Sequence, residues 1–263
     1  MSFQPAEKLV LRRFGDDQLV TLAKLAIETA FQPIVEAATG ATFGYESLMR
    51  GFDRLGFGSP PELLDKAYDV GQLAELEQMI NIRAFAGFSG LPGFAHRMLF
   101  INIDARLISL GNNFVERLTT QLIKASIRPS SICFELSERF DNTKDPAFTA
   151  LINKLRHGGF KLAIDDFGVG FNGLKLLCDY PTDYVKIDRH FIDGIHQDAV
   201  KREFVGSILQ IAKASRAQVI AEGIELAEEL SVLTEMGVDL VQGYLLCRPQ
   251  EQPPRTITTL LPR

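Results

Sequence analysis

The sequence predicts an α/β protein built as one closed barrel of eight strands. Three observations point to this fold: the chain length, an alternation of strands and helices, and a hairpin that precedes the alternation. At 263 residues the chain is close to the ~250 that an α/β barrel usually takes, although two ordinary domains would also fit. Apolar residues make up 46% and charged residues 23% of the chain, which excludes the disordered, collagenous and disulfide-stapled classes.

The eight strands are predicted in two groups. Residues 30–35 and 42–45 are β-rich and flank the turn residues Thr39-Gly40, which predicts a hairpin. Six more short β-rich runs follow, at residues 98–101, 131–134, 160–164, 183–187, 218–221 and 238–241. Helical patterns lie between them, at residues 112–125, 146–156, 171–178, 198–213 and 226–236. Because strands that alternate with helices build parallel sheets, we expect the six strands and the hairpin to close one barrel.

Two helix starts and the lack of a linker support a single domain. Ser59-Pro60-Pro61-Glu62 has the form of a capping box with proline at the first helical position, and Asp145-Pro146 repeats the cap-then-proline pattern. No tract rich in Gly, Ser or Pro divides the sequence, and no internal repeat is visible. We expect one domain over residues 1–263, with residues 1–27 as an N-terminal helical lead-in.

Charge, cysteine content and hydropathy restrict the partners. The net charge of −5 and the pI of about 5.5 give no electrostatic footprint for duplex nucleic acid. No apolar run reaches the ~18 residues of a membrane span and no signal peptide is visible, so we expect no membrane contact by this segment. Three dispersed cysteines without a C-x-x-C pair favour a reducing, cytoplasmic location. The segment fits a standalone protein and a module of a longer one equally well.

Polar side chains are predicted at or just after the strand ends, which meet at one mouth of a parallel barrel. They are Glu46, Asn102, Glu135, Asp165, Asp166, Lys186, Glu222 and Gln242. Taken singly, each is more typical of a helix cap or a solvated loop. Together, five carboxylates at one mouth would repel one another unless a cation lay among them. Oxygen ligands without histidine or thiolate favour Mg²⁺ or Mn²⁺, and the four histidines are expected at the surface or in packing.

The adjacent carboxylates Asp165 and Asp166 favour two ions rather than one. One of them bridging both ions while the other holds the second suits a two-metal site about 3.5–4 Å across. Such a site stabilises the attacking and leaving oxygens of an in-line phosphoryl displacement. Ca²⁺, which prefers longer bonds of about 2.3–2.6 Å and looser geometry, is expected to occupy the site and inhibit.

Six motifs in order resemble those of the EAL-domain cyclic di-GMP phosphodiesterases, and the likeness runs from about residue 31 to 249. The motifs are Tyr45-Glu46-Ser47-Leu48-Met49-Arg50, Phe134-Glu135-Leu136-Ser137-Glu138, Asp165-Asp166-Phe167-Gly168, Val185-Lys186-Ile187-Asp188, Ala221-Glu222-Gly223-Ile224-Glu225 and Gln242-Gly243-Tyr244. The resemblance implies a modified (β/α)8 barrel with an antiparallel first strand. It also implies hydrolysis of cyclic di-GMP to linear pGpG.

The resemblance also implies roles for single residues. One metal would be held by Glu46, Asn102, Glu135 and Asp165, and the second by Asp165, Asp166 and Glu222. Lys186 and Gln242 would complete the catalytic site, with Lys186 orienting water or offsetting charge in the transition state. Glu222 is a candidate general base as well as a ligand. Gln32, Leu48 and Arg50 would contact substrate, and Glu138 would brace the loop after Asp166 or cap a helix.

The sequence departs from the family pattern in two places. The signature has serine at position 47 where alanine is usual, a small-for-small exchange that keeps Glu46. The loop after Asp166 has Val169, Phe171, Asn172 and Gly173 in place of the usual threonine, tyrosine and two serines. Because that loop is associated with dimer contacts in the family, a homodimer is expected, with coupling or fusion to sensory or cyclase domains as a further possibility. A catalytically inactive cyclic di-GMP receptor is the main alternative.

Two other motifs have weaker support. Gly168-x-Gly170-x-x-Gly173 followed by Asp188 matches a dinucleotide-binding fingerprint, but Asp165 and Asp166 would then repel the pyrophosphate. Asp166-Phe167-Gly168 matches the metal motif of protein kinases, but their other motifs are missing from the sequence. Neither alternative accounts for the polar residues on the remaining strands.

Overall fold

Eight strands pair in chain order into a closed barrel in the computed structural model, which describes residues 18–104, 106–107, 114–137, 145–170 and 172–254. The strands are β1 (Glu28–Glu36), β2 (Thr42–Arg50), β3 (Met98–Asn102), β4 (Ile132–Ser137), β5 (Lys161–Phe167), β6 (Tyr184–Ile187), β7 (Gln218–Ala221) and β8 (Leu240–Val241). β1 is antiparallel to both neighbours, β2 and β8. The other neighbouring pairs are parallel. The predicted barrel with an antiparallel first strand is confirmed.

Helices pack around the barrel: the first precedes β1, and the others lie on the connections between strands. They are α1 (Leu19–Ala26), α2 (Pro60–Asp69), α3 (Leu73–Ser89), α4 (Phe114–Lys124), α5 (Pro146–His157), α6 (Gly173–Asp179), α7 (Arg189–Ile192), α8 (Ala199–Ser215) and α9 (Ala227–Glu235). The five predicted helical stretches correspond to α4, α5, α6, α8 and α9, with ends that differ by at most two residues where they are described. Residues 112, 113 and 171 of those stretches, and residues 1–17 of the lead-in, lie outside the described part.

Both predicted helix starts have the expected N-cap side chain, although the Glu62 carboxylate accepts a hydrogen bond from the N–H of Gly58 and not from that of Ser59, so the predicted capping box is only half formed. The side chain of Ser59 accepts a hydrogen bond from the backbone N–H of Glu62 at the start of α2, at 3.4 Å. The side chain of Asp145 accepts one from the backbone N–H of Ala147 at the start of α5, at 2.8 Å. Each cap supplies an acceptor for an N–H group that has no partner within its helix.

One set of apolar side chains fills the inside of the barrel. This inner apolar layer consists of Ile34, Phe100, Cys133, Ala163, Tyr184, Ile220 and Leu240. A separate and larger core lies between the outer face of the sheet and the helices. None of the described helices is both long and apolar enough to cross a membrane.

Candidate functional site

A layer of polar side chains lies next to the inner apolar layer, on the same inward face of the strands. Side chains in a strand alternate between its two faces, so residues two apart point the same way. Six polar residues stand two positions after a member of the apolar layer: Asn102, Glu135, Asp165, Lys186, Glu222 and Gln242. Gln32 stands two positions before Ile34, because β1 runs in the opposite direction, and it pairs directly with Glu46 on β2. We call these eight residues the polar layer.

The expectation that these residues stand at or just after strand ends was wrong for five of them. Asp165 and Asp166 lie inside β5, which continues to Phe167. Glu46 lies in the middle of β2, which continues to Arg50, and Glu135 lies inside β4. Lys186 is the third of the four residues of β6. The side chains of Glu46, Glu135 and Lys186 are buried because they point into the barrel rather than out of its mouth. Glu222 and Gln242, by contrast, come directly after β7 and β8.

Lys186 lies at the centre of the polar layer. Its Nζ is 2.6 Å from Glu135 Oε1, 2.7 Å from Glu222 Oε1 and 2.9 Å from Asp165 Oδ1. Glu46 Oε2 is further away, at 3.6 Å. The ammonium group thus contacts four of the carboxylates that the family resemblance names as metal ligands.

Two amides orient the carboxylates around Lys186. Asn102 Nδ2 donates a hydrogen bond to Glu135 Oε2 at 3.0 Å, and Gln242 Nε2 donates one to Glu46 Oε2 at 2.7 Å. The carbonyl oxygen Oε1 of Gln242 is buried and accepts no hydrogen bond from the described residues. Unsatisfied oxygens in a buried site are costly unless a cation or a ligand group fills them.

The electrostatics of the layer favour protonated acids in the absence of further cations. Burial raises the pKa of the Glu222 carboxyl to about 8, with Lys186 opposing the shift and Asp165 adding to it. Burial also raises the pKa of Glu135 well above its usual value. Burial alone would lower the pKa of Lys186, but Asp165, Glu135 and the other nearby carboxylates raise it well above the usual range. One ammonium group therefore leaves the acidic cluster short of positive charge.

An irregularity at the end of β5 brings two adjacent carboxylates together. Successive residues of a strand normally point to opposite faces, but the β5–β6 register shifts between Ile164 and Phe167. Asp166 has a left-handed backbone, with φ of +54°. Oxygens of Asp165, Asp166 and Glu222 lie within 4.8 Å of one another. This converging, all-oxygen donor set fits a hard divalent ion such as Mg²⁺ or Mn²⁺.

The predicted substrate residues lie along one line that leads out of the barrel. Glu46, Leu48 and Arg50 are every second residue of β2 and therefore share one face of the strand. A rise of about 3.3 Å per residue places Arg50 about 13 Å from Glu46. Arg50 and Arg83 both line a cavity of about 600 Å³. Gln32 Nε2 donates to the backbone carbonyl of Cys247 at 3.2 Å. Glu138 lies outside the described residues.

A cavity of about 210 Å³ opens at the mouth, and Gln32, Glu46, Glu222 and Gln242 form part of its lining. Four other polar side chains, not among the predicted site residues, complete it: Asp188, Arg189, Glu225 and Tyr244. All but Arg189 belong to the motifs quoted above, so the signal was present in the sequence.

Comparisons with known proteins agree with the fold and the motifs. The family model described as the EAL domain matches residues 17–249. The chain is 30% identical over 245 residues to the cyclic di-GMP phosphodiesterase NbdA of Pseudomonas aeruginosa, covering 92% of this chain. It is 32% identical over 224 residues to the probable cyclic di-GMP phosphodiesterase PdeI of Escherichia coli, covering 83% of this chain. The chain spans only 30% and 28% of the lengths of these relatives.

Solved structures with bound nucleotide have the same architecture. The EAL enzyme Bd1971, in its form with cAMP and cyclic di-GMP bound, superposes with a TM-score of 0.80 at 29% identity. That match covers 89% of this chain and 65% of the other. The manganese and cyclic di-GMP complex of Klebsiella pneumoniae BlrP1 gives a TM-score of 0.76 at 32% identity, covering 86% and 56% of the two chains.

Proposed function

Because this chain belongs to the EAL domain family, we propose that it hydrolyses cyclic di-GMP to linear pGpG with the help of two divalent ions. The observation that carries the proposal is the polar layer. Four carboxylates converge there around a single lysine, and two of them, Asp165 and Glu222, lie with the adjacent Asp166 so that their oxygens are within 4.8 Å of one another. The relatives named as cyclic di-GMP phosphodiesterases, and the manganese complex of BlrP1, support the same chemistry.

The proposed metal ligands form two sets, one for each ion. Glu46, Asn102, Glu135 and Asp165 would hold one ion, and Asp165, Asp166 and Glu222 the other. When bound, Mg²⁺ or Mn²⁺ supplies Lewis acidity that activates water and offsets charge on the phosphate. In the reaction, water oxygen forms a bond to phosphorus while the bond to the 3′ oxygen breaks, which leaves a 5′-phosphate on the linear product.

Lys186 and Glu222 are placed to manage charge and protons during this displacement. Lys186 would share its carboxylate partners with a bound divalent ion, and its ammonium group would then be able to orient the water or to offset charge on the phosphate. Glu222, at the edge of the layer, reaches both the second ion's ligands and the mouth cavity. We propose that it either ligates the ion or accepts the proton of the attacking water.

Substrate contacts are proposed along the line from Gln32 to Arg50. Gln32 lies in the mouth cavity beside Glu46, and Leu48 and Arg50 continue outward on β2. The planar guanidinium group of Arg50 suits bidentate contact with a phosphate. Glu138 is proposed to brace the loop after Asp166.

The proposal also covers oligomeric state, cellular location and coupling to other domains. We propose a cytoplasmic homodimer, supported by the exposed apolar side chains of Val169, Leu174 and Phe204 on the loop after β5 and on the helices that follow. Coupling to sensory or cyclase domains is also proposed, because the relatives are much longer than this chain. Size-exclusion chromatography with light scattering tests the dimer. The expected mass is near 58 kDa, twice the 29.2 kDa of the chain.

The activity is tested by incubating the protein with cyclic di-GMP and Mg²⁺ and following pGpG by chromatography. EDTA and Ca²⁺ serve as controls, and both are expected to suppress product. Retained nucleotide binding without product in Mg²⁺ or Mn²⁺ would favour the alternative, a receptor without catalysis. Comparable rates with Ca²⁺ would contradict a tightly fitted two-metal site.

A further inference from the structure

A second charged pair lies at the edge of the mouth, beside Glu222 but outside the polar layer. Arg189 begins α7 after β6, and Glu225 follows β7. Arg189 Nη1 is 2.6 Å from Glu225 Oε1, and both side chains line the mouth cavity together with Glu222. The pair thus joins the exits of the two strands that position Lys186 and Glu222.

The aliphatic stem of Arg189 lies directly over Gly223, the residue after Glu222. A Cβ atom at Gly223 would stand 2.5 Å from both Cβ and Cγ of Arg189. Gly223 also has a left-handed backbone, with φ of +71°, which favours glycine. The close approach of the stem therefore depends on glycine at this position, and it fixes the peptide that follows Glu222.

The loop that carries Glu225 is also held from inside the protein. The buried carboxylate of Glu229 accepts hydrogen bonds from the backbone N–H groups of Glu225 and Leu226, at 3.0 and 3.1 Å. Its other oxygen accepts one from the N–H of Gly194, on the connection after β6, at 2.8 Å. Glu229 therefore gives Glu225 a fixed backbone from which its side chain meets Arg189.

We propose that Arg189 and Glu225 are positioning residues that hold the Glu222 carboxylate in place for the second divalent ion, an inference that rests on the proposed function. Glu222 needs this support because the carboxylates of Asp165 and Asp166 lie close to it and repel it. Residues that orient metal ligands from behind commonly alter metal affinity without touching the ion. The ion pair and the packing on Gly223 together oppose an outward swing of the segment from Glu222 to Glu225.

Four variants separate this role from direct contact with substrate. Arg189→Met keeps the aliphatic stem and removes the charge, Glu225→Gln keeps the shape and removes the partner charge, and the double variant removes both charges. Arg189→Lys keeps stem and charge. Mn²⁺ affinity is measured by electron paramagnetic resonance without substrate, and kcat and KM are measured separately. Lys24→Met, in the exposed Lys24–Glu75 pair on α1 and α3, serves as the matched control.

The positioning role predicts that Arg189→Met and Glu225→Gln each weaken Mn²⁺ binding about tenfold. The double variant should bind Mn²⁺ as tightly as either single variant, because each single substitution already removes the ion pair between Arg189 and Glu225. Arg189→Lys should recover most of the affinity, and Lys24→Met should leave it unchanged.

Three results would overturn the inference. A higher KM in Arg189→Met, with unchanged Mn²⁺ affinity and no effect of Glu225→Gln, would make Arg189 a substrate-binding residue. A fall in melting temperature without any change in Mn²⁺ affinity would make the pair purely structural. A wild-type chain that binds no Mn²⁺ would remove both this inference and the proposed function, whereas Mn²⁺ binding without pGpG would contradict hydrolysis alone and leave the affinity comparison decisive.

Discussion

The polar layer and the inner apolar layer occupy equivalent inward positions of the same strands, two residues apart, yet their energetics are opposite. The apolar layer is closed by ring packing, with Phe100 and Tyr184 centroids 5.2 Å apart. The polar layer gathers four carboxylates and one lysine, and burial raises the pKa of Glu135 and Glu222. The comparison teaches that one half of the barrel interior stabilises the fold, whereas the other half is held in an unfavourable state that ligands can relieve.

The largest effect is expected from Phe100→Ala in the apolar layer. Removing a fully buried aromatic ring leaves a cavity and should lower the free energy of unfolding by about 3–5 kcal/mol. Urea unfolding monitored by circular dichroism measures the change. The activity per folded molecule should stay near that of the wild type, and a selective loss of kcat with little loss of stability would break the distinction between the layers.

The opposite pattern is expected from Asp165→Asn in the polar layer. Loss of a shared ligand should reduce kcat by about 10²–10³-fold, similar to removal of other electrostatic stabilisers of a transition state. Stability of the metal-free protein should be unchanged or higher, because one of several mutually repelling carboxylates is removed. Parallel turnover and thermal melting experiments test this. A large loss of stability with retained kcat would show that Asp165 belongs to the structural half.

The pH dependence of stability should distinguish the layers next. Between pH 4.5 and about 8 the folded protein keeps a proton on Glu222 that the unfolded chain has lost. Stability of the metal-free protein should therefore fall as pH rises through this window, by at most ~1.4 kcal/mol per pH unit for each such group. Glu222→Gln should flatten the profile, as measured by melting in EDTA.

Glu77 provides the control for that experiment. Burial raises its pKa to about 8 as well, with Asp104 adding to the shift, but it lies on α3 outside the polar layer. Glu77→Gln should flatten the profile to a similar degree. Mn²⁺ should remove the part of the pH dependence of stability that comes from Glu222 and leave the part from Glu77 unchanged. Equal effects of Mn²⁺ on the two parts would contradict a metal site at Glu222.

The smallest effect is expected from Gln32→Ala, at the margin of the polar layer. Gln32 lines the mouth cavity but is not among the proposed metal ligands, so the loss of one neutral hydrogen bond to substrate should raise KM by about 3–10-fold. kcat should remain close to that of the wild type. Steady-state kinetics separate the two constants, and a fall in kcat alone would move Gln32 from binding into the reacting part of the site.

Much of the fold was predictable from local patterns. The turn residues at Thr39-Gly40 and the strand-helix alternation determine the hairpin and the parallel strands, and the structure confirms both. The polar layer was also visible as single polar residues two positions after apolar ones, as in Phe100 and Asn102. The sequence-based expectation put Glu46 and Glu135 at strand ends because it could not determine how far pairing extends along β2 and β4.

Three features of the site had no local signal. The left-handed backbone of Asp166, which brings two adjacent carboxylates to one side, depends on the register shift between β5 and β6. The contacts of Lys186 with four carboxylates depend on barrel closure, which joins strands far apart in the sequence. The packing of Arg189 on Gly223 depends on the meeting of two loops, so only the three-dimensional structure reveals it.

The number of Mn²⁺ ions bound per chain tests the central claim most directly. We expect titration of the metal-free protein, followed by electron paramagnetic resonance, to give two ions for the wild type. Asp166→Asn should weaken only one of them, whereas Asp165→Asn should weaken both, because Asp165 is the proposed shared ligand. A single ion in the wild type, or two ions that are indifferent to Asp165→Asn, would contradict the assignment of the polar layer as a two-metal site.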